Sequence, residues 1–278
     1  MTDSSSSSRG PDLGAGAIDT GTAHAARIYD YMIGGRTHFA ADREASHAAA
    51  ALVPGGHEAA SAGLIANRAF LGRAVRHLAA EAGIRQFLDI GTGIPTGDNV
   101  HEVAQRVAPE SRIVYVDYDP IVLAHSHQLL TSSDEGETVY LQADLRDPRA
   151  ILDQATATLD FTRPIALVLV AILHFFPDDE NPYGIVTELL DALPPGSYMV
   201  LSHLASDIYD LDATYERLNQ ATQETFVLRS HSEVSRFFDG LEMVDPGVVL
   251  VDRWRPDPGH TPHDGIMLPL YGGVGRKS

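Results

Sequence analysis

From Gly83 onward, the sequence alternates short apolar runs rich in β-branched residues with stretches of helical periodicity. This alternation is typical of parallel strands joined by crossover helices, which cover both faces of one sheet. The run at 164–170, PIALVLV, is apolar at nearly every position, as expected for a central strand buried on both faces. The sequence therefore predicts an α/β fold built on a doubly wound sheet.

Apolar alternation and turn residues place the elements along this region. Strands are predicted at 85–90, 112–117, 138–143, 164–170 and 197–202. Helices are predicted at about 97–108, 119–130, 148–156, 181–192, 211–223 and 231–239. Two later apolar runs, at 247–251 and 265–271, are expected to complete the sheet as a hairpin.

The N-terminal part of the chain differs in composition from the rest. Residues 1–20 contain five consecutive serines and several glycines, and we expect them to form a disordered tail. Residues 21–83 are expected to form a helical cap and then a helix that packs on the sheet, since apolar residues recur at helical spacing from Leu64 to Leu78. Residues 84–278 are then the core domain.

Composition excludes several classes of function. The absence of cysteine excludes disulfides, thiolate metal sites and cysteine nucleophiles, and the separated pair His260 and His263 does not suffice to predict a metal site. A formal charge of -18 disfavours nucleic acids and anionic membranes, which favours a small-molecule substrate. No apolar run reaches the roughly 20 residues of a membrane span, so a cytoplasmic protein is expected. The oligomeric state stays open.

The stretch FLDIGTGIPTG at 87–97 lies where the first strand turns into the first helix. Ligands bind at this edge of doubly wound sheets. Gly91 and Gly93 would let the backbone approach a ligand closely, Thr92 lies between them, and Thr96 is expected to cap the next helix. A G-x-G pattern alone is weak evidence, because glycine turns also occur for structural reasons.

Charge separates the two ligands that such a turn can serve. A dinucleotide site has the pattern G-x-G-x-x-G, but here Thr96 stands at the last position. Asp89 precedes Gly91 by two residues, and its carboxylate would repel a pyrophosphate and attract a cation. S-adenosylmethionine carries a sulfonium and an ammonium against one carboxylate, so it suits an acid-lined pocket.

Two more acids follow strands of the predicted sheet. Asp117 closes the second strand, where it can accept hydrogen bonds from a ribose, and Tyr118 beside it can lie against an adenine ring. Asp144 closes the third strand, where it can accept from the adenine amino group. Each aspartate alone is more simply a turn or capping residue. Three at successive strand ends favour one shared binding site.

With these residues the chain resembles class I methyltransferases, and more narrowly an S-adenosyl methyltransferase family first described as proteins of unknown function in high-GC bacteria. The segments that carry the resemblance span nearly the whole chain after the tail: ARIYDYMIGGRTHFAADRE, NRAFLGRAVR, FLDIGTGIPT, VYVDYDP, HFFPDD, FFDGLEMVDPGVV, WRPD and YGGVGRK. The resemblance implies a Rossmann-like sheet of seven strands in the order 3-2-1-4-5-7-6, the last one antiparallel.

The resemblance also assigns residues to parts of the cofactor, S-adenosylmethionine. It implies that Asp89, Gly91 and Gly93 surround the methionine moiety. By the same resemblance Asp117 would bind the ribose, and Asp144 with Leu145 the adenine. Ala171, directly after the fourth strand, is assigned to the same site.

Methyl transfer from a sulfonium is an in-line displacement, so the enzyme mainly has to align the acceptor and exclude water. If a general base is needed, His174 just beyond the fourth strand is best placed, although a histidine there can also simply pack. Candidate substrate-binding residues are Tyr29, Tyr31 and Arg36 in the cap and His203 after the fifth strand, each of which also has a plain packing or surface interpretation.

We therefore expect a methyltransferase that uses S-adenosylmethionine and acts on a small molecule. Two alternatives remain open. The chain can be a non-catalytic protein that binds S-adenosylmethionine for regulation, since cofactor motifs do not prove turnover, or an NAD-dependent oxidoreductase.

Overall fold

The computed structural model describes residues 19–119, 122, 132–222, 224–259 and 265–278. Among them is one eight-stranded sheet. Its strands are β1 Gln86–Ile90, β2 Arg112–Asp117, β3 Glu137–Gln142, β4 Ala166–Val170, β5 Tyr198–Leu204, β6 Glu242–Met243, β7 Val249–Leu250 and β8 Leu270–Arg276. The tail predicted at 1–20 lies almost entirely outside the described residues, and His260 and His263 lie outside them as well.

The sheet confirms the predicted fold class. The strands are ordered β3-β2-β1-β4-β5-β8-β6, with β1 to β5 parallel and β8 antiparallel to β5. The eighth strand arises because β6 and β7, of two residues each, pair with different parts of β8. β7 and β8 pair antiparallel as predicted, but β8 runs Leu270–Arg276 instead of 265–271, and before it the Leu268 amide donates to the Ala59 carbonyl.

Eight α-helices are described in the same ranges. They are α1 Ala25–Met32, α2 Ala40–Ala50, α3 Gly56–Ala80, α4 Val100–Val107, α5 Pro148–Ala155, α6 Pro182–Asp191, α7 Asp212–Thr222 and α8 His231–Arg236. The helix predicted at 119–130 falls mostly outside the described residues. None of the helices within the described ranges is long and apolar enough to cross a bilayer.

The two faces of the sheet carry separate apolar clusters, because side chains alternate along each strand. Phe87 and Val168 face the cluster formed with α1, α3 and α4, whereas Leu88 and Leu167 face the one formed with α5 and α6. Trp254 is fully buried in the first cluster. The helices of 21–83 thus share a core with the sheet, while the boundaries predicted at 20 and 83 stay predictions.

A buried ion pair fixes the start of the cap. The Nε atom of Arg27 lies 3.0 Å from an Asp42 carboxylate oxygen, and both side chains are almost fully buried. The Asp42 carboxylate also accepts hydrogen bonds from the backbone amides of His24 and Phe39, at 2.9 and 2.7 Å. One carboxylate on α2 therefore holds the first residues of α1 in place over the sheet edge.

Candidate active site

A cavity of about 230 Å³ lies at the carboxyl edge of the parallel strands, under α1 and α3. The strands of a parallel sheet all end at this edge, so residues far apart in sequence meet there. The lining includes all the residues predicted to bind cofactor: Asp89, Gly91, Thr92, Gly93, Asp117, Tyr118, Asp144, Leu145 and Ala171. The structure therefore brings this predicted set together.

The two glycines of the turn after β1 have different structural roles. Gly91 has φ +76° and Gly93 has φ +62°, a region that disfavours L side chains. A Cβ atom at Gly91 would overlap the side chain of Ile172, whereas a Cβ at Gly93 would meet no atom within 4 Å. Close packing thus requires Gly91, and Gly93 leaves open space beside the backbone in which a ligand can lie.

The helix after the turn starts later than predicted. α4 begins at Val100 rather than 97, and Asn99 rather than Thr96 precedes its first turn. The Asn99 amide donates to the Glu102 carboxylate at 2.8 Å, a reciprocal arrangement that stabilises helix starts. The Asn99 side-chain oxygen accepts from Arg68 on α3 at 2.8 Å. Because α4 starts late, the loop before it is longer than predicted, and Asn99 in this loop is hydrogen-bonded to Arg68, a residue of α3 that lines the cavity.

Asp89 is a buried acid on the wall of the cavity, with 6% of its surface exposed. Burial raises its pKa to about 7, with a further increase from the Asp117 charge and an opposing effect from Arg68. A carboxyl group in this state is ready to ionise when a cation binds beside it. Perturbed acids in a cleft are typical of functional sites.

Asp117 ends β2 and supports the glycine turn. One carboxylate oxygen accepts from the Gly93 amide at 2.9 Å, and the other accepts from the Asp119 amide at 3.1 Å. Burial raises the pKa of Asp117 even though these two hydrogen bonds act in the opposite direction. Each oxygen retains a second lone pair, so the carboxylate can still accept from a ligand diol.

Tyr118 and Asp144 occupy the outer part of the cavity. Tyr118 is 49% exposed, and its hydroxyl donates to Glu224 at 3.2 Å. Asp144 accepts from the Arg146 amide at 2.9 Å. This is the role of a turn residue, which was the simpler alternative for a single aspartate at a strand end. The Arg146 guanidinium lies 4.8 Å from the centre of the Phe176 ring. An exposed tyrosine face and a turn carboxylate thus border the same opening.

His174 follows β4 on a short 3-10 turn and lines the cavity. Burial, followed by the nearby His203 and Arg229, lowers its pKa well below the ordinary value, so the ring is neutral. Neither ring nitrogen has a hydrogen-bond partner among the described residues, and Nδ1 is fully buried. Three residues earlier, Ala171 adopts φ +57°, a conformation that costs about 1 kcal/mol for an L residue.

The predicted substrate residues are not all at the cavity. Tyr29 lines it, whereas Tyr31, Arg36 and His203 lie outside its lining. The Tyr31 hydroxyl lies 2.6 Å from Nε2 of His47 on the outer side of the cap, and Arg36 is exposed.

His203 is fully buried within β5 and has a different role in the structure. Its Nε2 accepts from Arg229 at 2.8 Å, and its Nδ1 donates to the Leu204 carbonyl, while burial lowers its pKa to about 4. The Arg229 guanidinium in turn donates to the carbonyls of Leu173 and Phe176 at 3.1 and 2.9 Å. His203 therefore orients the arginine that holds the turn carrying His174.

His24, Asn67 and Arg68 are among the lining residues that sequence reasoning did not single out. The Nε2 atom of His24 lies 2.8 Å from an Asp119 carboxylate oxygen. Arg68 and Asn67 reach the cavity from α3. Asn67 and Arg68 lie on α3 and His24 directly precedes α1, so their place at the cavity depends on tertiary packing that leaves no local sequence signal. Among the described residues, no cluster of His, Asp and Glu is placed to hold a metal ion.

Comparisons with known proteins agree with this geometry. A family model described as S-adenosyl methyltransferase matches residues 12–278. A crystal structure of a DUF574 family protein from Streptomyces avermitilis has 49% identity and a TM-score of 0.87, covering 94% of this chain and 100% of that one. A candidate methyltransferase from Thermobifida fusca has 37% identity and a TM-score of 0.85, covering 96% and 100%.

A more distant structure shares the fold alone. An O-methyltransferase family protein from Burkholderia thailandensis has 15% identity and a TM-score of 0.50, covering 74% of this chain and 55% of that one. No curated protein matches the chain.

Proposed function

Since the chain belongs to the S-adenosyl methyltransferase family, we propose that it transfers the methyl group of S-adenosylmethionine to a small-molecule acceptor in the cavity. The observation that carries this proposal is the pairing of an open glycine turn with buried carboxylates at adjacent strand ends. Asp89 and Asp117 are both buried there, and both have raised pKa values. Such a site favours a positively charged nucleoside over a phosphorylated one.

The residues present fit the cofactor. A buried carboxyl group at Asp89 provides a counter-charge, and the space beside Gly93 accommodates a ligand against the backbone. When bound, S-adenosylmethionine supplies a methyl carbon on a positively charged sulfur, which an acceptor attacks in line. The protein has to bind, align and exclude water around that carbon.

Each end of the site has a distinct task. Asp89 would bind the ammonium of the methionine moiety, and Arg68 on the same wall would bind its carboxylate. Asp117 would accept from the ribose, with its orientation already fixed by the Gly93 amide. The adenine would lie between the Tyr118 face and Leu145, with Asp144 at the rim.

We predict that Asp117→Asn weakens the binding of S-adenosylmethionine by about tenfold or more, because a desolvated ribose hydroxyl loses a charged acceptor. Isothermal titration calorimetry measures the affinity, and thermal unfolding verifies that the variant is folded. Asp153→Asn on the exposed side of α5 is the matched control. Unchanged affinity in Asp117→Asn would contradict this role of Asp117.

The same titration with NAD tests the alternative ligand. Tight NAD binding without binding of S-adenosylmethionine would contradict the proposed function. Transfer of a labelled methyl group to a compound from a metabolite panel separates an enzyme from a protein that only binds the cofactor.

A further inference from the structure

One wall of the cavity is made of aromatic rings. We call His174, Phe175, Tyr215 and Phe226 the aromatic wall, and all four residues line the cavity. The rings of His174 and Phe226 are stacked at 5.6 Å with 15° between their planes. Phe175 and Tyr215 lie 4.8 and 5.5 Å from Phe226. The wall is a preformed face against which a planar ligand can stack.

The charged groups nearest the aromatic wall are already paired: Arg146, 4.8 Å from the Phe176 ring, binds Glu180 and Asp144, and Glu224 accepts from the Tyr118 hydroxyl. The acids and arginines of the described lining come from α3, from the ends of β1 to β3 and from Glu224, whose carboxylate is bound by the Tyr118 hydroxyl. The lining that comes from 170–176, β5, α7 and 268–270 contains no ionised side chain. Among the described residues, the aromatic wall therefore offers no unpaired counter-charge to an ionic acceptor.

Arg229 lies near the aromatic wall, but its guanidinium is not available to a ligand there. One terminal nitrogen donates to Leu173 and His203, and the other donates to Phe176 and Asp178. The guanidinium is thus occupied behind the wall, where it fixes the turn that carries His174. Within the part of the chain that the structure describes, a carboxylate acceptor would find no free cation beside the wall.

Polar groups of the aromatic wall that lack hydrogen-bond partners indicate what kind of ligand binds against it. The fully buried Nδ1 of His174 has no hydrogen-bond partner among the described residues, and no described residue bonds its Nε2 or the Tyr215 hydroxyl. Buried polar groups in folded proteins are nearly always hydrogen-bonded. Unpaired groups that line a cavity point to a ligand that completes them.

We propose that the methyl acceptor is an uncharged aromatic compound with a hydroxyl group, which stacks on the aromatic wall, donates its hydroxyl proton to His174 and is methylated on that oxygen. This inference rests on the proposed function and names its substrate class. The stacking face indicates an aromatic ring, and the lack of an unpaired counter-charge in the described lining indicates an uncharged compound. The unpaired imidazole indicates a hydroxyl group that can donate to it.

The reaction balances with the groups present. The acceptor oxygen forms a bond to the methyl carbon while the carbon–sulfur bond breaks, and sulfur keeps the electron pair of the broken bond. The hydroxyl proton passes to a ring nitrogen of His174 and later to solvent. Because burial lowers the pKa of His174, the ring is a weak base, and an acidic hydroxyl such as that of a phenol suits it better than an aliphatic alcohol.

Four probes that share one ring system test the substrate class. The full chain saturated with S-adenosylhomocysteine is titrated by calorimetry with 1-naphthol, 1-naphthoate, 1-naphthylmethylammonium and 1-methoxynaphthalene. We expect 1-naphthol to bind about tenfold or more tightly than each of the other three, since they carry an unpaired charge or lack the donor. Tighter binding of the carboxylate or the ammonium, or no binding of any probe, overturns the inference.

Variants assign the effect to the wall. His174→Phe keeps a ring but removes both nitrogens, so we expect 1-naphthol to bind about tenfold more weakly and 1-methoxynaphthalene to bind unchanged. Phe226→Leu is expected to weaken both probes, and the exposed His57→Phe neither. Equal loss of both probes in His174→Phe would show a purely structural histidine and overturn the proposal.

Failure of the two proposals gives different results. If S-adenosylhomocysteine itself does not bind, the proposed function fails. If it binds and the naphthol does not, or if labelled methyl appears on a nitrogen or carboxylate acceptor and never on 1-naphthol, only the substrate class fails.

Discussion

Single residues at the sheet edge combine properties that serve binding and reduce stability. Asp89 is buried with a raised pKa, and Ala171 adopts a backbone conformation that disfavours its own side chain. His174 holds two nitrogens without partners among the described residues. Such costs concentrate at functional sites, because a group already prepared for a ligand cannot be fully satisfied without it.

The two glycines of the turn provide a residue-level prediction. We expect Gly91→Ala to lower the free energy of unfolding by about 2–4 kcal/mol, which combines backbone strain with overlap on Ile172. Gly93→Ala meets no neighbouring atom, so we expect only the strain, about 1–2 kcal/mol, but weaker cofactor binding. Urea unfolding and calorimetry measure the two effects. An equal stability loss in both variants would contradict the packing argument.

The motif residues were predictable because strand ends and glycine turns leave a local signature. Asp89, Asp117 and Gly91 could be placed at the carboxyl ends of the first two strands from sequence, and all three line the same cavity. His203 could not, because its partner Arg229 is distant in sequence and the hydrogen bond between them forms only after folding. Local pattern indicates where a side chain lies along the chain, but not which face of the sheet its partners occupy.

At the scale of elements, a chain of hydrogen bonds connects the cap with the strained end of β4. The Ala171 amide donates to the Ser202 hydroxyl at 3.1 Å, and Ser202 donates to Asn67 at 2.7 Å. The Asn67 amide group donates to the Tyr29 hydroxyl at 3.2 Å, which in turn donates to the Leu64 carbonyl. Elements β4, β5, α3 and α1 therefore depend on one buried side chain, Asn67.

We predict that Asn67→Leu costs about 1–3 kcal/mol of stability, because Ser202 loses its acceptor and Tyr29 a donor in a buried setting. Amide hydrogen exchange should show the largest loss of protection in α1 and the turn after β4. Ser61→Ala removes a separate hydrogen bond from α3 to the Met32 carbonyl, so it is the control. Loss of protection confined to α3 in Asn67→Leu would contradict the coupling.

At the scale of the whole molecule, alternation of strand and helix patterns predicted the sheet, and the resemblance to class I methyltransferases implied its strand order. The region after β5 was less predictable. β6 and β7 contain two residues each, too few for any period to appear, and their pairing depends on β8, which lies beyond them in sequence. Arg73 on α3 binds the carbonyls of Val251 and Trp254, a contact between residues nearly 180 positions apart. Propensity alone does not encode such contacts.

The pH dependence of global stability provides a prediction in which two buried groups, Asp89 and His203, act in opposite directions. The folded-state pKa of Asp89 is raised to about 7, so this group stabilises the fold as pH falls below that value. The pKa of His203 is lowered to about 4, so this group destabilises the fold as pH falls from about 6.5 towards 4. Variants at the two positions should therefore change the slope in opposite directions.

When the pH is lowered from about 8 to about 5, Asp89→Asn should lose more stability than the unaltered chain, and His203→Gln should lose less. Urea midpoints at several pH values measure both slopes, with His57→Gln as an exposed control. Slopes that change in the same direction would show that burial does not control these two groups as described.

The buried carboxylates also bear on how a catalytic cycle ends. Methyl transfer leaves a neutral thioether where a cation had been, so the spent nucleoside keeps the ammonium and ribose contacts proposed for Asp89 and Asp117 but loses the longer-range attraction of its sulfonium to these acids. We expect the fresh reactant to be favoured over the spent one by that lost charge alone. The acids would then promote turnover at the release step as well as selecting the nucleoside that enters.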